Sequence, residues 1–244
     1  MNTQATIDQL QKLRLNGMAS VYQAVVSLPV QERPDLDQFM ARLSHAELSE
    51  RENKRAIIYL KTSKLRYNAV IQEVICSAKR NFSKEDLLTL SDCSFVKRSQ
   101  NLLITGKTGC GKSYLACALG RQACYLGLRT LYLSMNKFIE KIGQSRIDGS
   151  FLKVINQIEK NNLIIFDDFG LQPLDPNSRL ALLQIMEDCY ERKAVIVTSQ
   201  LPVSKWHDYI GEPTIADAIM DRLVSNANRI ELEGDSLRKK KMNQ

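Results

Sequence analysis

"NLLITGKTGCGKSYLACALG", residues 101–120, sets an apolar run, a glycine-rich loop and a helix-period pattern end to end. Asn101 to Thr105 is short, apolar and bounded by polar residues, which reads as a buried strand. From Lys112 onward Leu115, Ala116, Leu119 and Ala123 recur at helical spacing, so a helix begins where the loop ends. A loop running from a strand tip into a helix N-terminus points free N–H groups at one place, and the helix dipole adds partial positive charge. Gly106, Gly109 and Gly111 let the backbone approach a ligand with no Cβ in the way. Every fixed position of G-x-x-x-x-G-K-[ST] is met, in the strand–loop–helix context that a phosphate-binding loop requires. The pattern directs Lys112 to β/γ-phosphate oxygens and the Ser113 hydroxyl to Mg²⁺. Gly106, Lys107, Thr108, Gly109, Cys110, Gly111, Lys112, Ser113 and Tyr114 are therefore the expected contacts of a bound nucleoside triphosphate.

Beyond the loop, strand and helix patterns alternate. Residues 129–134, 162–167, 194–200 and 228–233 read as strands, and 136–143, 150–160, 176–192 and 214–227 as helices. Such alternation predicts an α/β fold with a parallel sheet covered on both faces, whose ligands lie at the carboxyl ends of the strands. Three features fall near those ends. "LIIFDD" delivers Asp167 and Asp168 at a strand tip, one carboxylate to hold Mg²⁺ and its neighbour to polarise the attacking water. Gln200 ends "AVIVTSQ", where an amide can orient water and γ-phosphate. Arg222, in "ADAIMDRL", is a candidate arginine finger offered to a neighbouring subunit, with a surface ion pair as the competing reading. The expected catalytic set is Lys112, Asp168, Gln200 and Arg222, and the expected metal set is Ser113 and Asp167.

Composition bounds the remaining classes. With 244 residues, 44% hydrophobic and 25% charged, the chain has room for one large globular domain, alone or with a small one. No apolar stretch approaches the ~20 residues of a membrane span, and the polar start "MNTQATIDQLQK" is no signal peptide. Six cysteines without a C-x-x-C pair, and only His45 and His207 beside them, argue against zinc or disulfides and fit a reducing cytoplasm.

The net charge of +7 is unevenly spread. Residues 51–80 hold eight Lys/Arg (Arg51, Lys54, Arg55, Lys61, Lys64, Arg66, Lys79, Arg80) against Glu52 and Glu73, an excess of +6. Ile57, Ile58, Leu60, Leu65, Val70, Ile71, Val74 and Ile75 supply an apolar face, so this stretch reads as a basic amphipathic helical region. Residues 1–98 contain only Gly17, Pro29 and Pro34 as breakers, which predicts several helices. A solvated basic face is the bland reading; beside an NTPase loop, DNA or RNA phosphate binding through Lys54, Arg55, Lys61, Lys64 and Arg66 is the sharper one. Lys137, Lys141 and Arg146 form a second candidate DNA surface.

"NLLITGKTGCGKSYLACALG", "NNLIIFDDFGLQPL", "AVIVTSQLPVSKWHDYIGEPTIADAIMDRL" and "GDSLRK" together resemble the IstB-like ATP-binding proteins, AAA+ ATPases of the DnaC/DnaA-like clade that assist transposases of insertion sequences. The loop and acidic strand are generic to AAA+ proteins, whereas "TSQLPVSKWH" and "IADAIMDRL" are more specific. The resemblance implies a P-loop AAA+ core with a five-stranded parallel sheet at residues 91–244, behind a small helical DNA-binding domain at residues 1–90. It further implies Mg²⁺-dependent ATP hydrolysis, assembly of a homo-oligomer on duplex DNA with ATP at subunit interfaces, and a transposase partner. Gln200 then falls at sensor 1, Arg222 at the arginine finger and Arg238 at sensor 2. Two departures stand out. Only 22 residues follow Arg222, so the lid domain is expected to be reduced or absent, and Cys189 stands where relatives often carry an arginine. A DnaC-type helicase loader is the alternative function; a nucleotide-gated scaffold and a small-molecule kinase are further ones.

Overall fold

The structure is a computed structural model that describes residues 2–237; Arg238, the candidate second sensor, lies outside the described residues. The chain divides into two compact units, Met1–Ile58 and Tyr59–Gln244. The sequence reading put a functional boundary near residue 90, whereas the packing boundary falls at 58/59.

The first unit contains α1 (Thr3–Lys12), α2 (Asn16–Val26) and the beginning of α3 (Leu36–Ser63). Asn2 caps α1 by accepting from the Gln4 amide at 3.1 Å, and Asp35 does the same for the Gln38 amide at 2.8 Å, one residue after the helix-breaking Pro34. Gly17 packs against α3 so closely that a Cβ there would lie 2.4 Å from the Ala46 carbonyl oxygen. That approach lets the Glu47 carboxylate accept from the Gly17 amide at 2.9 Å, satisfying an orphan donor of the first turn of α2.

The second unit begins within α3 and continues through α4 (Lys84–Ser91) and α5 (Ser94–Lys97) into the sheet. The expectation of a helical region across residues 51–80 is corrected here. Helix α3 ends at Ser63, Lys64 takes a left-handed φ of 57°, and only short 3-10 turns follow at Ile71–Glu73 and Ala78–Arg80. The apolar residues Leu65, Ile71 and Val74, counted as part of one helix face, instead pack onto the core with Tyr67 and buried Ala69, Phe82 and Leu90. Burial of these side chains against the rest of the unit outweighs the local helical pattern.

Five parallel strands follow: β1 (Asn101–Gly106), β2 (Thr130–Ser134), β3 (Leu163–Phe169), β4 (Ala194–Ser199) and β5 (Ala227–Leu232). Their spatial order is β2-β3-β4-β1-β5. Between them run α6 (Lys112–Tyr125), α7 (Met135–Ile147), α8 (Phe151–Glu159), α9 (Pro176–Cys189), the short α10 (Trp206–Ile210) and α11 (Pro213–Val224). Alternating strand residues serve two cores. Leu103, Phe166, Val195 and Val197 face one core with residues of α7, α8, α9 and α11, while Leu102, Ile104, Ile165 and Ile196 face the other with α6 and residues 69–96. Cys189 is buried in the first of these cores. The six cysteines are all free. No helix of the described chain is long and apolar enough to cross a membrane.

Candidate nucleotide site

The loop between β1 and α6 takes its shape from glycines. Gly106 has φ 142°, and a Cβ there would meet the Leu232 carbonyl oxygen of β5 at 2.1 Å, so only glycine fits the strand tip. Gly111, at φ 92°, is the left-handed residue from which α6 departs. Amides of Gly109, Gly111, Lys112 and Ser113 meet no acceptor among the described residues, and they cluster at a helix N-terminus. Lys112 is buried, and its ammonium donates to the Gly106 carbonyl at 2.7 Å and the Lys107 carbonyl at 2.9 Å. Neutral carbonyls orient that charge without neutralising it. A buried cation and unpaired amides together suit a phosphate group, so the residues present fit a nucleoside triphosphate.

The acids arrive by a distortion of β3. In its pairing with β4, Phe166 faces Val197 and Phe169 faces Ser199, so Asp167 and Asp168 together oppose Thr198. This bulge puts Asp168 at φ 62°, tolerable for aspartate, and turns its side chain out while Asp167 stays fully buried. Asp167 is held by three hydroxyls: Ser113 at 2.7 Å, Thr198 and Tyr132. Thr198 Oγ1 also accepts from the Asp168 amide at 3.2 Å, locking both acids to β4. Burial, and then the Asp167 carboxylate, raises the Asp168 carboxyl above the ordinary aspartate range, against the lowering pull of Arg66 and Lys112. Among the described residues no group of three or more His, Cys, Asp or Glu could hold a metal. One carboxylate and one hydroxyl in contact, Asp167 with Ser113, still form a hard-oxygen pair suited to a Mg²⁺ that keeps several waters.

Because β4 lies between β3 and β1, Gln200 follows its tip between the acids and the loop, and Thr108 donates to its side-chain oxygen at 2.7 Å. A cleft of about 770 Å³ opens here, lined on its polar side by Thr108, Lys112, Ser113, Asp168 and Gln200. Tyr67, Val74, Ile75, Phe82 and Tyr114 make the remaining wall, broad and apolar enough to take a base and ribose. Arg80, buried, reaches the Cys110 carbonyl from that wall.

The structure thus brings together Lys112, Ser113, Asp167, Asp168 and Gln200, and does not bring Arg222 to them. That guanidinium donates to Glu187 of α9 at 3.0 Å and to the Ala218 carbonyl at 2.7 Å. Arg66, grouped with the DNA-contacting cations, lies 3.3 Å from Asp168 and 3.7 Å from Asp167. Lys54 pairs with Glu50 at 2.9 Å, and Arg55, Lys61 and Lys64 are exposed. On α7, Lys137 and Arg146 are exposed, the latter over the Phe151 ring at 3.6 Å, while Lys141 donates to Gln157 at 3.3 Å. Sequence reasoning missed Thr198 and Tyr132, whose only signal was a polar atom inside an otherwise apolar strand. It had no signal for Arg66 beside the acids or for Arg80 in the wall of the nucleotide cleft.

A family model described as IstB-like ATP binding protein matches residues 8–244. A protein of Sinorhizobium fredii named as an insertion sequence ATP-binding protein is 38% identical over 234 residues, covering 96% of this chain and 94% of its own. One of Pseudomonas fluorescens, named for insertion sequence IS1162, is 37% identical over 205 residues, covering 84% and 89%. Among solved structures, AMPPCP-bound DnaA from Aquifex aeolicus superposes with a TM-score of 0.59 at 19% identity, over 74% of this chain and 56% of that one. The DnaC helicase loader gives 0.57 at 17% identity, over 70% and 99%. At such identities the structural likenesses establish the fold, while the family match spans nearly the whole chain. This protein belongs to the IstB-like ATP binding proteins, built on the AAA+ fold it shares with DnaA and DnaC.

Proposed function

We infer that the chain is an ATP-dependent DNA-binding regulator that assembles on duplex DNA, hydrolyses ATP and assists the transposase of an insertion sequence. The observation that carries this reading is the convergence of Lys112, the Ser113–Asp167 pair, Asp168 and Gln200 on one cleft. In it Lys112 and the loop amides bind the β- and γ-phosphates, the apolar wall takes the base, and Gln200 orients the attacking water. Asp168 accepts the proton of that water as its oxygen attacks the γ-phosphorus and ADP leaves. Mg²⁺, held by Ser113 and Asp167, would supply charge neutralisation at the phosphate oxygens. Adjacent subunits share each ATP, with Arg222 offered across the interface. Names of the relatives give the insertion-sequence context, which supports a transposase as the partner.

Steady-state ATP hydrolysis with duplex DNA, with single-stranded DNA and with neither tests the reading. Stimulation by duplex DNA is expected. Stimulation by single strands alone favours a helicase-loader role, and tight binding with no turnover favours a nucleotide-gated scaffold. Lys112→Ala is expected to weaken ATP binding by about 10- to 150-fold, since a charge-assisted hydrogen bond contributes about 1.5–3 kcal/mol. No other side chain of the loop replaces that contact, and unchanged calorimetric affinity would overturn the assignment.

The basic stretch within residues 1–90 is the proposed DNA surface, chiefly Lys54, Arg55, Lys61 and Lys64. It binds phosphates without reading sequence. Replacing n of the contacting cations by glutamine is expected to lower the log–log salt slope by roughly 0.9 for each lost contact on duplex DNA. Substitution is preferred to truncation at residue 90, because Ala69, Phe82 and Leu90 belong to the core of the second unit. An unchanged slope would move the surface to Lys137, Lys141 and Arg146.

A further inference from the structure

We propose that Arg66 is a built-in restraint on hydrolysis, a cation that occupies the Asp168 carboxylate until phosphates of duplex DNA draw it away. The proposal rests on the ATPase reading above. Its basis is the position of the guanidinium, 3.3 Å from Asp168 Oδ2 and 3.7 Å from Asp167 Oδ2. A carboxylate serves as base through a lone pair free to face the attacking water. A charge-assisted bond from arginine takes up that lone pair, so the base is blocked while Arg66 holds it.

The restraint is removable. The Arg66 side chain is 45% exposed, against 27% for Asp168 and 0% for Asp167, so it lies on the solvent side of the pair and can swing out without opening the core. It also sits in the irregular segment after α3, where Lys64 takes a left-handed backbone and no regular ladder fixes the chain. Lys61 and Lys64, five and two residues before it, are exposed and carry no ion pair among the described residues. A phosphate chain engaged by those lysines arrives within reach of Arg66 and competes for it with the same fork geometry that a carboxylate offers. DNA binding and release of the base are then one event.

The test compares kcat and KM for ATP, with and without saturating duplex DNA, in wild type, Arg66→Ala, Arg66→Lys and the double variant Arg66→Ala/Asp168→Asn. Arg66→Ala is expected to raise the DNA-free kcat by about two- to fivefold, the range of a partly exposed ion pair, with KM unchanged. Stimulation by DNA should shrink by the same factor, Arg66→Lys should restore most of the restraint, and the double variant should show no gain. A DNA-free kcat that stays level or falls in a normally melting Arg66→Ala protein overturns the proposal. So does full DNA stimulation in that variant. A DNA-free rise absent because bound ATP alone displaces Arg66 would be seen as that same level kcat. Turnover in wild type without the predicted gain sinks the restraint alone, whereas no turnover in any protein with any DNA sinks the ATPase reading with it.

Discussion

Asp168→Asn is expected to bind ATP as wild type does while hydrolysing it about 10²–10⁴-fold more slowly, the usual effect of removing a general base. Asparagine is the informative replacement. It keeps the shape of the side chain and tolerates the left-handed backbone at φ 62° as readily as aspartate, so the bulge in β3 stays as it is. Asp167 keeps its bonds to Ser113, Thr198 and Tyr132, and with them the candidate Mg²⁺ site. What disappears is the capacity to take a proton from water. Single-turnover hydrolysis alongside calorimetric ATP affinity separates the two effects. Turnover within a few-fold of wild type would remove Asp168 from the role of base and leave it as a partner of Arg66.

Arg222→Ala is expected to bind ATP normally as a monomer, to fail to assemble on DNA, and to lose hydrolysis by about 10³–10⁵-fold, the contribution of an arginine finger. Within one chain the guanidinium rests on Glu187 and the Ala218 carbonyl, with 27% of its side chain exposed. An ion pair so placed contributes only about 0–1 kcal/mol, so leaving it for the nucleotide of a neighbouring subunit costs little. Mixing Arg222→Ala with Lys112→Ala protein should restore some activity, because each supplies the part that the other lacks at a shared interface. If Arg222 serves only its pair with Glu187, the variant hydrolyses ATP at the wild-type rate and shows at most a small drop in Tm. The two readings therefore differ by orders of magnitude in one assay.

The phosphate loop was legible because its chemistry is local. Glycines at Gly106 and Gly111, a lysine and a hydroxyl within eight consecutive residues fix both the backbone shape and the donors that a phosphate needs. Alternation of strand and helix patterns likewise announced a parallel sheet covered on two faces, since apolar runs such as "LIIF" and "AVIV" can be satisfied only by burial on both sides. Those two readings place the phosphate loop, the acidic pair and Gln200 each at the carboxyl end of its own strand. They say nothing about which strand lies beside which.

Tertiary structure decided the rest. Gln200 reaches Thr108 because β4 is inserted between β3 and β1, an order that no single strand's pattern encodes. Asp167 and Asp168 look equivalent as neighbours in the chain, and only the bulge against β4 separates a buried acid held by three hydroxyls from an outward one that meets Arg66. The basic stretch divides in the same way: Lys61 and Lys64 remain outside, while Arg66 turns to the acids and Leu65 and Tyr67 turn to the core. Periodicity ranks residues by face along one element, so it reads a helix wherever apolar and basic residues alternate suitably. Whether such a segment stays helical depends on the partner surface it can cover, and that surface is made by residues far away in sequence.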